Sequence, residues 1–164
     1  MTSIKITITP YVAEYINGKY YDGDVCGCVF PHHSDIYHLI YDLMGRRPHG
    51  MPPERSGNIV LMLPDRREAN RAGGKAPEQY NYLSQAAIHS IERKMRLLFW
   101  AEVHDLMDEN KHLHGISYKD TALDILRRYR IESISDDAIL KNYQRWRLKM
   151  RPRATRKWER RKKR

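Results

Sequence analysis

Cysteine is scarce in this sequence, and no part of it is apolar over a long stretch. The two cysteines, Cys26 and Cys28, are too close together for an ordinary disulfide framework, and such low usage is typical of a reducing compartment. No segment has the uncharged apolar run of a membrane span, and the first residues lack a signal-peptide pattern. We therefore expect a soluble, cytoplasmic protein without membrane contact.

Acidic residues are nearly absent from the last part of the chain. Residues 141–164 contain thirteen lysines and arginines and a single acid, Glu159, which gives this segment a net charge of +12. Because the whole chain carries +10, residues 1–140 carry a net charge of −2. A charge block this dense repels itself unless a polyanion neutralises it, and phosphate backbones do so with release of counterions. The segment therefore predicts nucleic-acid binding, with a solubilising tail or a localisation signal as the alternatives.

All thirteen cations of this segment, with one amide and one tryptophan, are the predicted nucleic-acid contacts. The tryptophan at position 158 is included because the tail offers it no apolar partners, so that its ring is better suited to stacking on a base or on a partner protein than to burial. The set is Lys141, Asn142, Arg145, Arg147, Lys149, Arg151, Arg153, Arg156, Lys157, Trp158, Arg160, Arg161, Lys162, Lys163 and Arg164.

The first 63 residues have the pattern of a small sheet with short helices. Residues 4–9 alternate apolar and polar side chains, residues 25–30 are a second strand candidate, and the apolar run 58–63 is typical of a central, buried strand. Residues 11–17 predict a short helix that ends at Gly18. We therefore predict a sheet of roughly three strands.

Helical periodicity dominates the second half of the chain. Residues 84–109 carry a long apolar stripe that predicts the spine of the core. Helices over residues 119–129 and 136–151 follow, and Ser117 and Ser135 stand where a serine caps a helix.

These elements predict an α+β fold with one domain and a tail. The domain spans residues 1–150, with a sheet-containing part over 1–64 and a helical part over 78–150. Residues 151–164 form the basic C-terminal tail.

The last three helices have the order of a helix-turn-helix unit. In that interpretation the final helix lies in the major groove, where Asn142 pairs with adenine and Arg145 with guanine. Two features count against it, because the link before the helix has no glycine, and Asp136 and Asp137 occupy the turn that would face the bases. Plain helical packing, with a basic helix extending outward, is the favoured alternative.

Residues 4–9 and the short helix after them superficially resemble a ribbon-helix-helix module. Lys5, Thr7 and Thr9 would then point outward as base readers. The helix is too short for that fold, so an ordinary sheet strand is favoured.

The side chains of Cys26 and Cys28, with the nearby His32, His33 and His38, are of the types that ligate zinc. The spacing is not that of a zinc finger. In a strand, the two cysteines would point to the same face and behave as small core residues. We therefore predict no metal and no cofactor.

Catalysis has one candidate cluster of acids and histidines on the long helix and just beyond it: Glu102, His104, Asp105, Asp108 and Glu109, with His112 and His114. A two-metal nuclease would usually add carboxylates from a strand, and the strands here supply almost none, so a solvated acidic face is favoured. The sequence has no Gly-rich phosphate loop, nucleophile signature or dinucleotide fingerprint. We expect no enzyme, and a metal-dependent nuclease stays a distant alternative.

Three stretches carry a resemblance to a known family. They are Phe30-Pro31 with SDIYHL at residues 34–39, PEQYNYLS at residues 77–84, and DDAILKNYQRWR at residues 136–147. Together they resemble a family of small basic proteins carried by Bacteroides-type prophages and transposable elements. The resemblance implies a phage or mobile-element setting and transfers no activity or site residue; the Cys-Gly-Cys stretch is a departure from the family pattern.

The sequence thus predicts a DNA-binding regulatory or accessory protein of a phage or mobile element. One alternative is a component of a phage or element assembly that docks its basic tail on an acidic protein. Another is an RNA-binding protein, because a tail of this kind does not distinguish RNA from DNA.

Overall fold

The computed structural model describes residues 2–65 and 74–152, and it has the predicted α+β architecture. A four-stranded mixed sheet from the first part of the chain packs with five helices, of which the last three make up the second half. The strands are β1 (Ser3–Ile6), β2 (Tyr21–Asp22), β3 (Gly27–Cys28) and β4 (Ile59–Met62). The helices are α1 (Pro10–Tyr20), α2 (Asp35–Leu43), α3 (Gln85–Leu113), α4 (Tyr118–Tyr129) and α5 (Asp136–Met150).

The apolar strand β4 lies inside the sheet, as predicted, in the order β1-β4-β3-β2. It pairs antiparallel with β1, where Ile4 is opposite Leu61, and parallel with β3, where Cys28 is opposite Leu61. The sheet has one strand more than the roughly three that we predicted, because β2 and β3 form a hairpin of two residues each. Strands this short leave no periodic pattern in the sequence.

Serine side chains begin four of the five helices. Ser34, Ser84, Ser117 and Ser135 each accept a hydrogen bond from the backbone N–H three residues later, which satisfies one donor of the first turn. The predicted caps Ser117 and Ser135 are therefore confirmed.

Gly18 does not end α1, contrary to the prediction, and the helix continues to Tyr20. A Cβ atom at Gly18 would lie 2.6 Å from the carbonyl oxygen of Tyr129 and 2.8 Å from its Cα. The glycine therefore allows the backbones of α1 and α4 to touch, and its role is packing rather than termination.

The core is one cluster that draws on both halves of the chain. Its centre is the buried side of α3, where residues at four-residue intervals are covered by the sheet and the other helices. They are Ala87, Ile91, Met95, Phe99, Val103 and Met107. The predicted stripe is correct in its middle, whereas Ile88, Leu98 and Leu106 lie at its margin and are only partly buried.

The two cysteines do not share a face, so that prediction is wrong. Cys26 lies in a turn with φ at 53° and is exposed, whereas Cys28 is buried in β3. The Cys28 thiol lies 3.2 Å from the Asn17 side-chain oxygen, and burial raises its pKa to about 12.

Within residues 2–65 and 74–152, no helix combines the length and the apolar composition that a bilayer span needs.

Candidate nucleic-acid interface

The basic helix α5 is held against α3 and α4 by its apolar side. Ile139 and Tyr143 are fully buried, and Trp146 is partly buried beside them. Asp136 and Asp137 stand in the first turn, where the helix macrodipole favours negative charge. Ser135 caps the helix, so the orientation of its basic side is set by both packing and capping.

The link between α4 and α5 is tied to the first helix. The Glu14 carboxylate of α1 accepts hydrogen bonds from the backbone N–H groups of Glu132 and Ser133, at 2.9 and 3.1 Å. It also accepts one from the Ser133 hydroxyl at 2.8 Å. The start of α5 is therefore fixed relative to the sheet-containing part.

Three of the predicted contacts form an exposed row on α5, which we call the basic row. Lys141, Arg145 and Lys149 are four residues apart, so they lie on one side of the helix at a rise of about 6 Å per step. Within residues 2–65 and 74–152, none of the three forms an ion pair with a carboxylate. Arg151, just beyond the helix, is exposed as well.

Two other predicted contacts face the protein itself. Asn142 is half-buried, and its side-chain oxygen lies 2.9 Å from Nε2 of His104 on α3, which must be the donor because an amide oxygen only accepts. Arg147 is also half-buried, and its guanidinium donates to the Tyr118 hydroxyl at 3.0 Å and lies 6.0 Å from the centre of that ring. The structure therefore commits the oxygen of Asn142 and the head group of Arg147 to internal contacts.

The remaining predicted contacts lie outside the described residues. They are Arg153, Arg156, Lys157, Trp158, Arg160, Arg161, Lys162, Lys163 and Arg164.

An aromatic stack joins α3 to α5 next to the basic row. The ring of His104 is nearly parallel to Trp146, with centroids 4.3 Å apart and an interplanar angle of 20°. On α3 itself, Trp100 stacks on His104 at 6.0 Å and 28°. His104 is only 8% exposed, whereas both tryptophans are partly exposed. We refer to Trp100, His104 and Trp146 as the aromatic stack.

Two of the carboxylates that had suggested a nuclease accept hydrogen bonds from tyrosine hydroxyls. Tyr143 donates to Asp108, and this contact together with burial raises the pKa of the tyrosine. Glu102 accepts from Tyr15 and Tyr129 and pairs with Lys19. The prediction of a solvated acidic face is therefore wrong at these two positions, since both carboxylates are half-buried.

The pKa values around Glu102 follow from this arrangement. Burial alone would raise the pKa of Glu102, but the hydrogen bonds from Lys19, Tyr129 and Tyr15 outweigh burial and leave it below its ordinary value. Burial and the bond to Glu102 raise the pKa of Tyr129 to about 12. The carboxylate therefore stays ionised and the phenols stay protonated, which suits a structural junction.

Among residues 2–65 and 74–152, no three histidine, cysteine, aspartate or glutamate side chains are grouped so as to hold a metal ion.

A cleft of about 750 Å³ runs along β1 and the segment 51–55. Among the described residues that line it, Glu54 is the single carboxylate, and it accepts a hydrogen bond from the Ser56 hydroxyl at 2.8 Å. At one end the guanidinium of Arg47 donates to the carbonyl oxygens of Pro52 and Asn81, at 2.8 and 3.0 Å. None of the described lining residues pairs a nucleophile with a base.

Sequence reasoning did not identify the roles of Trp100, His104 and Tyr118 beside α5. Trp100 and His104 are four residues apart, and this spacing placed them on one face of a helix. Which helix that face would meet depends on the tertiary arrangement, so the sequence alone could not join them to Trp146 or Asn142.

Comparisons with family models, with curated proteins and with solved structures found no significant match to this chain.

Proposed function

We propose that this chain is a DNA-binding regulatory or accessory protein of a phage or mobile element. It holds phosphates with the exposed cations of α5 and with the basic tail that follows. The setting rests on the family resemblance, and the binding rests on charge. The observation that carries the proposal is the basic row, because Lys141, Arg145 and Lys149 are exposed side by side on a rigid helix.

The physical support is the cost of leaving these cations unpaired. Like charges four residues apart on a helix repel one another, by a few tenths of a kcal/mol per pair. A phosphate backbone removes that repulsion, and the counterions it releases add a favourable, salt-dependent free energy. No carboxylate of residues 2–65 and 74–152 pairs with the row, so no ion pair within that part of the chain has to break before these cations contact a phosphate.

The internal contacts of Asn142 and Arg147 favour binding to the backbone over reading of bases. A residue that reads a base edge must present both hydrogen-bonding atoms to it, and the oxygen of Asn142 is held by His104. The proposed mode is therefore phosphate binding with little sequence preference.

The test measures affinity for labelled duplex DNA, single-stranded DNA and structured RNA across a salt series. A variant with Lys141→Gln, Arg145→Gln and Lys149→Gln should lower the slope of log affinity against log salt for duplex DNA by about 2.7, or 0.9 per lost phosphate contact. The matched control, Lys5→Gln with Lys119→Gln and Arg127→Gln, removes the same charge from other exposed positions and should leave the slope nearly unchanged.

Three outcomes would contradict the proposal. Equal losses in the two variants would mean that only net charge matters, and no change in either would remove α5 from the interface. Absence of binding to all three nucleic acids, with tight binding to an acidic polypeptide, would establish protein docking instead.

A further inference from the structure

The aromatic stack is larger and more exposed than attachment of α5 requires. Ile139 and Tyr143 already bury the helix in the core, and Tyr143 also bonds to Asp108. Trp146 nonetheless adds an indole ring at the seam between α3 and α5, Trp100 adds a second one beside His104 on α3, where it also meets Tyr11 and Phe99, and both tryptophans stay partly exposed. Aromatic residues with one wet edge are typical of binding surfaces.

Large apolar side chains continue this surface into solvent. Leu97 on α3, one turn before Trp100, is 60% exposed, and Met150 on α5, one turn after Trp146, is 64% exposed. The basic row comes closest to this seam at Lys149, which lies three residues after Trp146 and therefore on a neighbouring part of the helix surface. Partly exposed indole rings, exposed apolar side chains and a cation of the basic row that pairs with no carboxylate of the described residues therefore occur close together.

We infer that the aromatic stack binds unpaired bases, so that the preferred ligand is single-stranded nucleic acid whose phosphates follow the basic row. This inference rests on the proposed function and names its substrate class. Indole rings stack on any base, and cations beside them hold the backbone, which is the usual design of single-strand binding surfaces.

Charge and shape favour a single strand over the other occupants. A duplex keeps its bases stacked internally and offers the indole rings no free base face. An acidic peptide would neutralise the cations but would supply no flat apolar group to contact the two tryptophans and Leu97. A single strand supplies both the negative backbone and the flat apolar groups.

The first experiment measures the affinity of the whole chain for three ligands: a short single-stranded DNA, a strand of equal length without bases, and a blunt duplex. All proteins carry Trp158→Phe, so that fluorescence reports only Trp100 and Trp146. We expect the normal strand to bind about tenfold or more tightly than the baseless strand and to quench the fluorescence, since stacking of one base has about that effect. The baseless strand should bind without quenching.

The second experiment uses variants in the same background. Trp146→Leu and Trp100→Leu keep an apolar side chain and should remove most of the preference for bases while binding to the baseless strand is kept. Leu97→Gln changes an exposed position and should reduce the preference without a risk to folding. Leu113→Gln, at a residue 73% exposed at the far end of α3, is the matched control and should change nothing.

The outcomes separate this inference from the proposed function. Equal affinity for the normal and baseless strands would overturn the stacking site and leave phosphate binding intact. Absence of binding to every nucleic acid would overturn both. A preference for bases that survives in folded Trp146→Leu and Trp100→Leu proteins, or equal quenching by an acidic peptide, would also overturn the inference.

Discussion

At the scale of single residues, Glu102 connects three helices that are distant in sequence. Its carboxylate accepts the hydroxyl groups of Tyr15 from α1 and Tyr129 from α4 and pairs with Lys19. The two tyrosine rings also meet edge to face, with centroids 5.0 Å apart. One half-buried carboxylate therefore satisfies three donors at the point where the first helix meets the helical half.

Replacing this carboxylate tests the junction. Glu102→Gln should lower the free energy of unfolding at neutral pH by about 2 to 4 kcal/mol, because an amide cannot accept from three donors at once. The folded-state pKa of Glu102 is depressed, so its contribution is present above the unfolded value of about 4.3 and is lost as pH falls through the folded value. Urea unfolding from pH 3 to 7 should show the variant and the wild type converging at the acid end. Glu109→Gln, an exposed carboxylate on the same helix, is the control and should have no effect.

Gly18 makes an equally specific prediction about packing. Gly18→Ala should destabilise the protein by about 1 to 3 kcal/mol, because the added methyl overlaps the Tyr129 backbone and neither helix can move freely. Helix propensity alone would predict that the alanine raises the free energy of unfolding by about 1 kcal/mol. Gly23→Ala, where no atom lies within 4 Å of the added Cβ, should be close to neutral. A stabilised Gly18→Ala protein in thermal unfolding would contradict the close approach of α1 and α4.

At the scale of secondary-structure elements, α5 has two sides with different tasks. One side is fixed by Tyr143, Trp146 and the bond between Asn142 and His104. The other presents the basic row to solvent. Because the fixed side is rigid, the spacing of the exposed cations is set before any ligand binds, which lowers the entropic cost of binding.

A substitution at Asn142 tests whether this side chain reads bases or supports the helix. Asn142→Ala should lower the free energy of unfolding by about 1 kcal/mol, because the bond to His104 is lost. Relative affinities for duplexes of different sequence should not change. Gln144→Ala, an exposed amide two residues away, should alter neither quantity. If Asn142→Ala selectively weakened binding to adenine-containing sites, groove readout by a helix-turn-helix would replace the phosphate-binding mode.

At the scale of the whole molecule, most of the buried core residues and most of the excess positive charge lie in different parts of the chain. The core cluster runs from Ile4 to Tyr143, whereas residues 141–164 carry a net charge of +12. Binding strength can therefore be altered by changes at the C-terminus that leave the core intact. Such separation also limits what the tail can specify, because a charge block attracts any polyanion.

Truncation tests this separation. A chain ending at residue 152 loses eight cations and Glu159, and its slope of log affinity against log salt for duplex DNA should fall by up to about 7. Its melting temperature should stay within a degree or two, because the truncated chain keeps every core residue that the structure describes, from Ile4 to Tyr143. Nucleic-acid affinity that survives truncation unchanged would remove the tail from the binding surface.

Some features of the whole fold could be predicted from the sequence, and others could not. The helix α5 could be predicted because Ser135 caps it and Ile139, Tyr143 and Trp146 recur at helical spacing, and β4 because its apolar run fits a central strand. The role of Gly18 could not, since its neighbour Tyr129 is more than a hundred residues away. The two-residue strands and the hydrogen bond between Asn142 and His104 likewise depend on contacts between distant segments, which local periodicity does not encode.

The contact of Glu14 with the link before α5 also bears on the order in which the protein assembles during synthesis. These hydrogen bonds span 118 and 119 residues, so they cannot form until most of the chain has left the ribosome. The sheet and the first helices can therefore fold before the start of the basic helix is anchored. Helix α5 is translated after these elements, and it gains its fixed orientation only when Ile139 and Tyr143 pack into the core.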